Sequence, residues 1–393
     1  MQKENQEQTK NQQINNIPLR SKPLSSYKKP ILIGLQNIGQ PTYINAVLQC
    51  LSQTEDLTNY FLDKKSLKQI LNNNNIAINN RDELQLSPVY FQLLDKLWDS
   101  NNFKGYFEPK RFMKTVEEMN PLFKLGQAGD SGGFVVFVLE QFHKELKEIY
   151  NDNNYFNFNE YVDKNNEFNH FIQSFSKSII SDIFFGISES TNICLFCKDN
   201  FNKKGKSVPI CYNYMTFNCI IFALQKFKLM KEENCKKIDY INSNQINELT
   251  LMDCFNFYQK PELFTGENRN YCNKCKQIWD SFYTYRIFSF PKVLIIILSR
   301  FRNNNNVKIN FTEIIDITQF ASLKNGKNIY YLYGVVSKFG ENFPNYHFVA
   351  FCKNIIDDKW YKYDDAVVTE VNNFQKEIVD FGKPCILFYK KMK

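Results

Sequence analysis

The sequence predicts an α+β protein whose helices gather in its first half and whose strands gather toward its end. Three observations carry that expectation. Ile44, Val47, Leu48 and Leu51 recur at i, i+3, i+4 and i+7, the apolar stripe of a core-packed helix, and the spacing returns in Val89–Trp98 and through Leu139, Phe142, His143 and Leu146. From Phe288 onward, β-branched and alternating segments replace it: Phe288–Phe301, Tyr331–Ser337, His347–Lys353, Lys359–Asp365 and Cys385–Lys390. Between these halves stand two Cys-x-x-Cys pairs, Cys194/Cys197 and Cys272/Cys275.

Composition sets the class. At 393 residues and 43% hydrophobic, with 37 Phe and 22 Tyr, the chain can build a large core in one extended domain or two ordinary ones. The longest aliphatic run, Val293–Leu298, is far too short to cross a bilayer, and the amino terminus carries no apolar signal segment. An intracellular protein, cytoplasmic or nuclear and without a membrane, is therefore expected. The net charge of +8 admits an acidic or nucleic-acid partner, but the lysines are scattered among asparagines and form no basic stripe. That pattern favours a solvated surface over a nucleic-acid site.

Residues 1–29 are rich in Gln, Asn and Lys and have almost no aromatics, so they form no buried face and read as a disordered tail. Residues 30–393 form the folded part. The runs Asn72–Asn75 and Asn303–Asn306 read as surface loops. Asp130 directly precedes a helical segment, where a carboxylate serves as an N-cap. Thr42 occupies the same kind of place before Ile44, facing the positive end of a helix dipole, an environment that lowers a cysteine's pKa and makes a thiolate nucleophile. The residue present is a threonine.

The two cysteine pairs supply four thiolates, the full tetrahedral shell of a structural Zn2+ with no position open to water. In a chain of this size without a secretion signal, that spacing reads as metal binding before disulfide. Cys50, Cys211, Cys219, Cys235, Cys254, Cys352 and Cys385 read as small core residues. Imidazole chemistry has only His143, His170 and His347 to draw on, and His143, in an apolar helix, reads as a packed core residue.

The stretch Gly34-Leu-Gln-Asn37-Ile-Gly39-Gln-Pro-Thr42-Tyr-Ile-Asn45-Ala-Val-Leu48-Gln49 resembles the cysteine box of the ubiquitin-specific proteases, Gly-Leu-x-Asn-Leu-Gly-Asn-Thr-Cys-Tyr-x-Asn-x-x-Leu-Gln. The resemblance extends over about residues 31–391. Gly126–Val135 is similar to the family's Gln-Gln-Asp-Ala-x-Glu-Phe-Leu, and Thr250–Phe255 with Pro261–Glu267 follows its text. Pro291–Phe301 matches its Pro-x-Val-Leu…Arg-Phe strand, and His347 stands in its Gly-His-Tyr. This implies a papain-like fold with a helical thumb (about 34–160), zinc-tipped β fingers (about 185–285) and an antiparallel β palm. It also implies site roles: Thr42 at the nucleophile position, His347 as its base, Asp364 orienting that base, Asn37 at the oxyanion position and Asp130 in the clamp for ubiquitin's basic tail.

The departures cluster where the chemistry would occur. Gln40, Pro41 and Thr42 replace Asn-Thr-Cys, Gly133 replaces the clamp's glutamate, Lys338 replaces the histidine of a His-x-Gly and Tyr346 replaces the glycine before His347. Threonine nucleophiles use their own terminal amine as base, a route closed to an internal residue. Cys50, eight residues along the helix, lies about 12 Å down its axis and cannot substitute. The expectation is a pseudodeubiquitinase, a binding or scaffolding subunit with protein partners in a larger complex and weak ubiquitin affinity. The alternatives are an active deubiquitinase and a zinc-containing nucleic-acid-binding protein, the latter requiring basic residues on one face of the fingers.

Overall fold

The computed structural model describes residues 24, 27–39, 42–63, 66, 85–124, 130–147, 168, 171, 175–204, 210–236, 248–300, 307–324, 326–340 and 347–392. Most of the polar tail, both asparagine runs, Gln40, Pro41, Gly126–Gly129, His170 and Tyr346 lie outside them.

From the amino terminus run strand β1 (Gly34–Leu35), helices α1 (Thr42–Ser52), α2 (Glu55–Leu62) and α3 (Ser87–Leu97), strand β2 (Tyr106–Phe107), and helices α4 (Lys110–Met119), α5 (Ser131–Leu146) and α6 (Ile179–Phe184). Next come β3 (Gly186–Cys194), α7 (Leu195–Lys203), β4 (Cys211–Phe217), β5 (Ile220–Ala223), α8 (Leu224–Lys236), β6 (Glu248–Thr250), α9 (Leu251–Tyr258) and β7 (Glu262–Phe264). The hairpin β8 (Asn270–Cys272) and β9 (Gln277–Trp279) precedes β10 (Ser281–Ser289) and β11 (Val293–Ser299). The chain closes with β12 (Lys308–Asn310), β13 (Ile314–Asp316), β14 (Ile329–Phe339), β15 (His347–Lys353), β16 (Trp360–Asp364), β17 (Val367–Glu370) and β18 (Lys383–Lys391).

Among the described residues the largest sheet has eight strands, ordered β17-β16-β15-β14-β18-β11-β5 with β13 paired to β14. It is the expected palm with one correction: the edge strand β5 pairs with β11 in parallel, so the sheet is mixed. The unbroken apolar run of β11 has a direct cause. Val293, Ile295 and Ile297 face the core shared with the amino-terminal helices, while Leu294, Ile296 and Leu298 face a second core with α8 and α9 residues Phe227, Leu251 and Phe255. A strand covered on both faces loses the polar alternation of a one-sided strand. A separate four-stranded sheet, β4-β3-β10-β7, carries the cysteine pairs at its far end.

Capping fixes several helix starts. Ser178 with Ser181 and Thr250 with Asp253 form reciprocal capping boxes on α6 and α9, each satisfying donors that a helix start leaves unpaired. Every residue of α1 is buried, so this helix lies inside the fold, between the sheet and its fellow helices. No helix among the described residues is long and apolar enough to cross a membrane.

Candidate functional site

The polar residues of α1 explain how the site is assembled. Asn45 and Gln49, one turn apart on a buried helix, need partners, because an unpaired buried amide costs on the order of 1–3 kcal/mol. Gln49 Nε2 donates to the Ile33 carbonyl at 3.0 Å, and Asn45 Nδ2 donates to the Leu35 carbonyl at 3.2 Å and to Asp365 Oδ1 at 2.8 Å. They stitch the segment before the helix onto its side. The Leu35 N–H also donates to the Asp365 carbonyl at 2.8 Å. A Cβ on Gly34 would lie 2.5 Å from the Ala366 carbonyl carbon, so only glycine permits this approach.

Thr42 is the first residue of α1, one position inside the N-cap place that the spacing predicts, and is buried. Its Oγ1 accepts from the Phe348 N–H at 2.7 Å, which sets Thr42 against the residue that follows His347. His347 opens β15, and its Nε2 meets Asp364 Oδ1, at the end of β16, at 2.6 Å. Lys362 Nζ lies 2.9 Å from the other oxygen of that carboxylate. Burial alone would raise the Asp364 carboxyl, but hydrogen bonds from Lys362 and His347 and their charges outweigh it and hold the group below its ordinary range.

Asn37 is tied to the neighbouring carboxylate. Its Nδ2 donates to Asp365 Oδ2 at 3.2 Å, and its Oδ1 accepts from the Gly39 N–H at 2.9 Å. Asp365 sits at φ +50°, a left-handed conformation that non-glycine residues seldom adopt, held here by three hydrogen bonds from Leu35, Asn37 and Asn45. Burial raises its carboxyl above the ordinary range, opposed by Asn45, His347 and Asn37. Sequence reading passed over Asp365. The Asp-Asp doublet and the Asn45/Gln49 spacing were the available signals.

Asp130 caps α5: its Oδ1 accepts from the Gly132 N–H at 3.0 Å. Burial and, second to it, the Asp130 charge raise the pKa of the Tyr43 hydroxyl. A Cβ on Gly133 would meet Asp130 Oδ2 at 3.3 Å, so the glycine opens the space beside the cap. His143, in the last turn of α5, pairs its Nδ1 with Ser178 Oγ at 2.6 Å and packs on Phe185, and burial followed by Lys147 lowers its pKa. It is a structural histidine, half-buried and satisfied.

The four cysteines converge at the far end of the smaller sheet. Cys194 ends β3, Cys197 lies in α7, Cys272 ends β8 and Cys275 lies in the turn that follows, all four sulfurs within 4.8 Å of one another. Cys194 and Cys275 Sγ are 3.9 Å apart, and Cys197 and Cys272 Sγ 3.7 Å. Tetrahedral zinc with bonds of about 2.3 Å sets its sulfurs about 3.8 Å apart, so a structural Zn2+ fits this donor set. The Lys276 N–H donates to the Cys272 carbonyl at 2.8 Å, closing the second knuckle, and the Leu195 N–H donates to the Asp280 carbonyl at 2.9 Å, tying the first to the segment between β9 and β10. Of the other described cysteines, Cys50, Cys254 and Cys352 are buried as expected, whereas Cys211, on edge strand β4, is exposed.

Comparison with known proteins agrees with this architecture. The family model described as "Ubiquitin carboxyl-terminal hydrolase" matches residues 33–389. Ubiquitin carboxyl-terminal hydrolase 2 of Bos taurus is 23% identical over 375 residues, covering 91% of this chain and 55% of that protein. Ubiquitin carboxyl-terminal hydrolase Usp2 of Drosophila melanogaster is 24% identical over 373 residues, covering 92% of this chain and 35% of that one. The chain thus spans about half the length, or less, of the curated relatives it matches. Among solved structures, the SAGA Ubp8 DUB module bound to monoubiquitin aligns with a TM-score of 0.63 at 18% identity, over 98% of this chain and 74% of that chain. The same module bound to ubiquitin aldehyde gives 0.63 at 20%, over 94% and 71%. With one family model spanning nearly the whole folded part, this chain belongs to the ubiquitin carboxyl-terminal hydrolase family.

Proposed function

We propose that this chain is a pseudodeubiquitinase, a catalytically silent family member that acts as a binding or scaffolding subunit in a larger protein assembly. The observation that carries the reading is Thr42 itself. A hydroxyl stands at the helix start beside the His347–Asp364 pair, with Oγ1 bonded to the Phe348 N–H. An aliphatic hydroxyl ionises far less readily than a thiol, so the dipole that would activate a cysteine leaves threonine protonated. With Gly133 in place of the clamp's second carboxylate, the charge available to a basic ubiquitin tail is reduced, and weak ubiquitin affinity follows. The aligned Ubp8 structures hold that protein with Sgf11, Sus1 and Sgf73, which supports assembly with protein partners.

A second reading, an active deubiquitinase, draws support from the formed His347–Asp364 pair. Turnover of a ubiquitin C-terminal reporter by the purified chain separates the two. A silent scaffold gives no rate above its own His347→Ala variant, and an active enzyme gives a rate that this substitution abolishes.

A further inference from the structure

Among the described residues the palm sheet ends in β17 and β5, and the smaller sheet ends in β7 and β4. An edge strand leaves a row of backbone donors and acceptors open to another chain, and proteins blunt such edges by shortness, proline or charge. Three of these four edges are blunted. β7 has three residues, follows Pro261 and carries Glu262, which pairs with Lys226 at 2.8 Å. β17 has four residues and carries Glu370, which pairs with Lys359 at 2.7 Å. β5 has four residues and runs directly into α8. β4 differs from all of them: its seven residues, Cys211-Tyr-Asn-Tyr-Met-Thr-Phe217, include no charge and no proline.

On its inner side the strand is firmly seated. It pairs with β3 in unbroken register from Phe217↔Gly186 to Cys211↔Asn192, and Tyr214 packs on Phe288 and donates its hydroxyl to Glu189 Oε2 at 2.9 Å. Toward solvent, Tyr212 is 37% exposed and Met215 57%, and three positions apart in a strand they stand on opposite faces. A strand added at this edge would therefore cover apolar side chains on both faces of the sheet. Tyr, Thr and Phe, which fill four of the seven positions, favour such pairing. The neutral sequence also selects the occupant. A charged strand finds no counter-charge on β4, whereas a second β4 brought up by a two-fold axis sets neutral residues opposite neutral residues, and the like-charge opposition that would split a self-paired strand does not arise. Two four-stranded sheets then become one of eight strands, the size of the palm sheet itself.

We propose that β4 is a self-association edge, along which two copies of this chain pair their smaller sheets antiparallel into a two-fold dimer. A strand pair lies at the small end of specific interfaces, so the dimer is weak and forms as concentration rises. The interface does not involve Thr42 and stands whether or not that site is silent. Sedimentation equilibrium on the zinc-loaded chain tests this from about 1 to 100 μM, in reductant so that the exposed Cys211 forms no cross-link. The mass should climb toward twice that of one chain and stop there, because a two-fold interface closes. Tyr212→Lys with Met215→Lys sets like charges across the axis and should weaken association at least about 10-fold, with zinc content and melting temperature kept. If that variant loses zinc, Met215→Lys alone should weaken the dimer from the more exposed position. Ile221→Lys, at an exposed position on the β5 edge, should leave it unchanged. A single-chain mass over the whole range would overturn the proposal and leave β4 to a strand from another protein. So would growth beyond two chains, a dimer that survives the lysines in folded protein, or one that Ile221→Lys weakens equally.

Discussion

Asn45 donates its side-chain amide to Asp365 Oδ1 at 2.8 Å, joining the helix that Thr42 begins to the turn after the strand that carries Asp364. Through this bond, the helix that begins at Thr42 and the turn after Asp364 are joined by one carboxylate, which also accepts from Asn37. Asp365→Ala leaves two amides without their acceptor. It is expected to lower stability by about 1–3 kcal/mol, read from urea unfolding midpoints at constant slope. An unchanged midpoint would mean the Asp365 contacts carry no net stabilisation.

Gly34 sets the same turn from the other side. A methyl group there must displace the Ala366 backbone from a 2.5 Å approach, so Gly34→Ala is expected to cost about 1–3 kcal/mol and shift Asp365 off its partners. Combining it with Asp365→Ala should cost less than the sum of the two, because both act on one turn. Strict additivity in a double-mutant cycle would separate them.

The two carboxylates give opposite pH dependences. Asp364 titrates below its unfolded value of about 3.9, so the stability it contributes is present above that value and is lost as pH falls through its folded pKa. Asp365 titrates above its unfolded value, so its contribution is fullest below about 3.9 and is lost as pH rises through its folded pKa. Asp364→Asn should therefore flatten the acid limb of a stability profile, and Asp365→Asn should remove the opposing slope just above it. Identical profiles for both variants and the parent would contradict the paired assignments.

Metal analysis should find one zinc per chain in protein purified without chelator. Four thiolates couple metal binding to local folding, so Cys272→Ser should release the ion and unfold the end of the smaller sheet before the palm melts. A zinc stoichiometry near zero would remove the metal from this account.

Much of this was legible in the sequence where chemistry depends on neighbours along the chain. Thr42 as a helix start, His347 opening a strand, Asp364 ending one and two cysteine pairs forming one shell follow from periodicity, spacing and the family's text. Contacts that join distant segments were not legible. Asp365 meets Asn45 from 320 residues away, Thr42 finds the Phe348 N–H across 306, and nothing local marks Lys338 and Lys383 as partners. The parallel edge pair β5–β11 and the exposure of Cys211 were missed for the same reason, since edge position is a property of the assembled sheet. Asp130 had two readings in the sequence, and its bond to the Gly132 N–H establishes the cap.

Restoring a thiol separates loss of the nucleophile from decay of the whole site. Thr42→Cys regains the helix terminus and the His347–Asp364 pair, yet it is expected to leave reporter turnover near background, because Pro41 and Tyr346 alter the residues beside that pair and Gly133 removes a carboxylate from the tail clamp. A small misplacement of the scissile carbonyl can cost about 100-fold. Adding Pro41→Thr and Tyr346→Gly should recover more than the single changes sum to, since such groups act as a unit. Robust turnover by Thr42→Cys alone would place the entire defect at one residue.

Under the proposed function, the chain as it stands performs no ubiquitin hydrolysis. The direct measurement is the initial rate with a fluorogenic ubiquitin C-terminal reporter at high enzyme concentration, run beside His347→Ala. Superimposable traces are expected, because the His347–Asp364 pair has no thiol to serve. A rate about 100-fold or more above that of His347→Ala would show that Thr42 or another group acts as nucleophile, and would contradict the account.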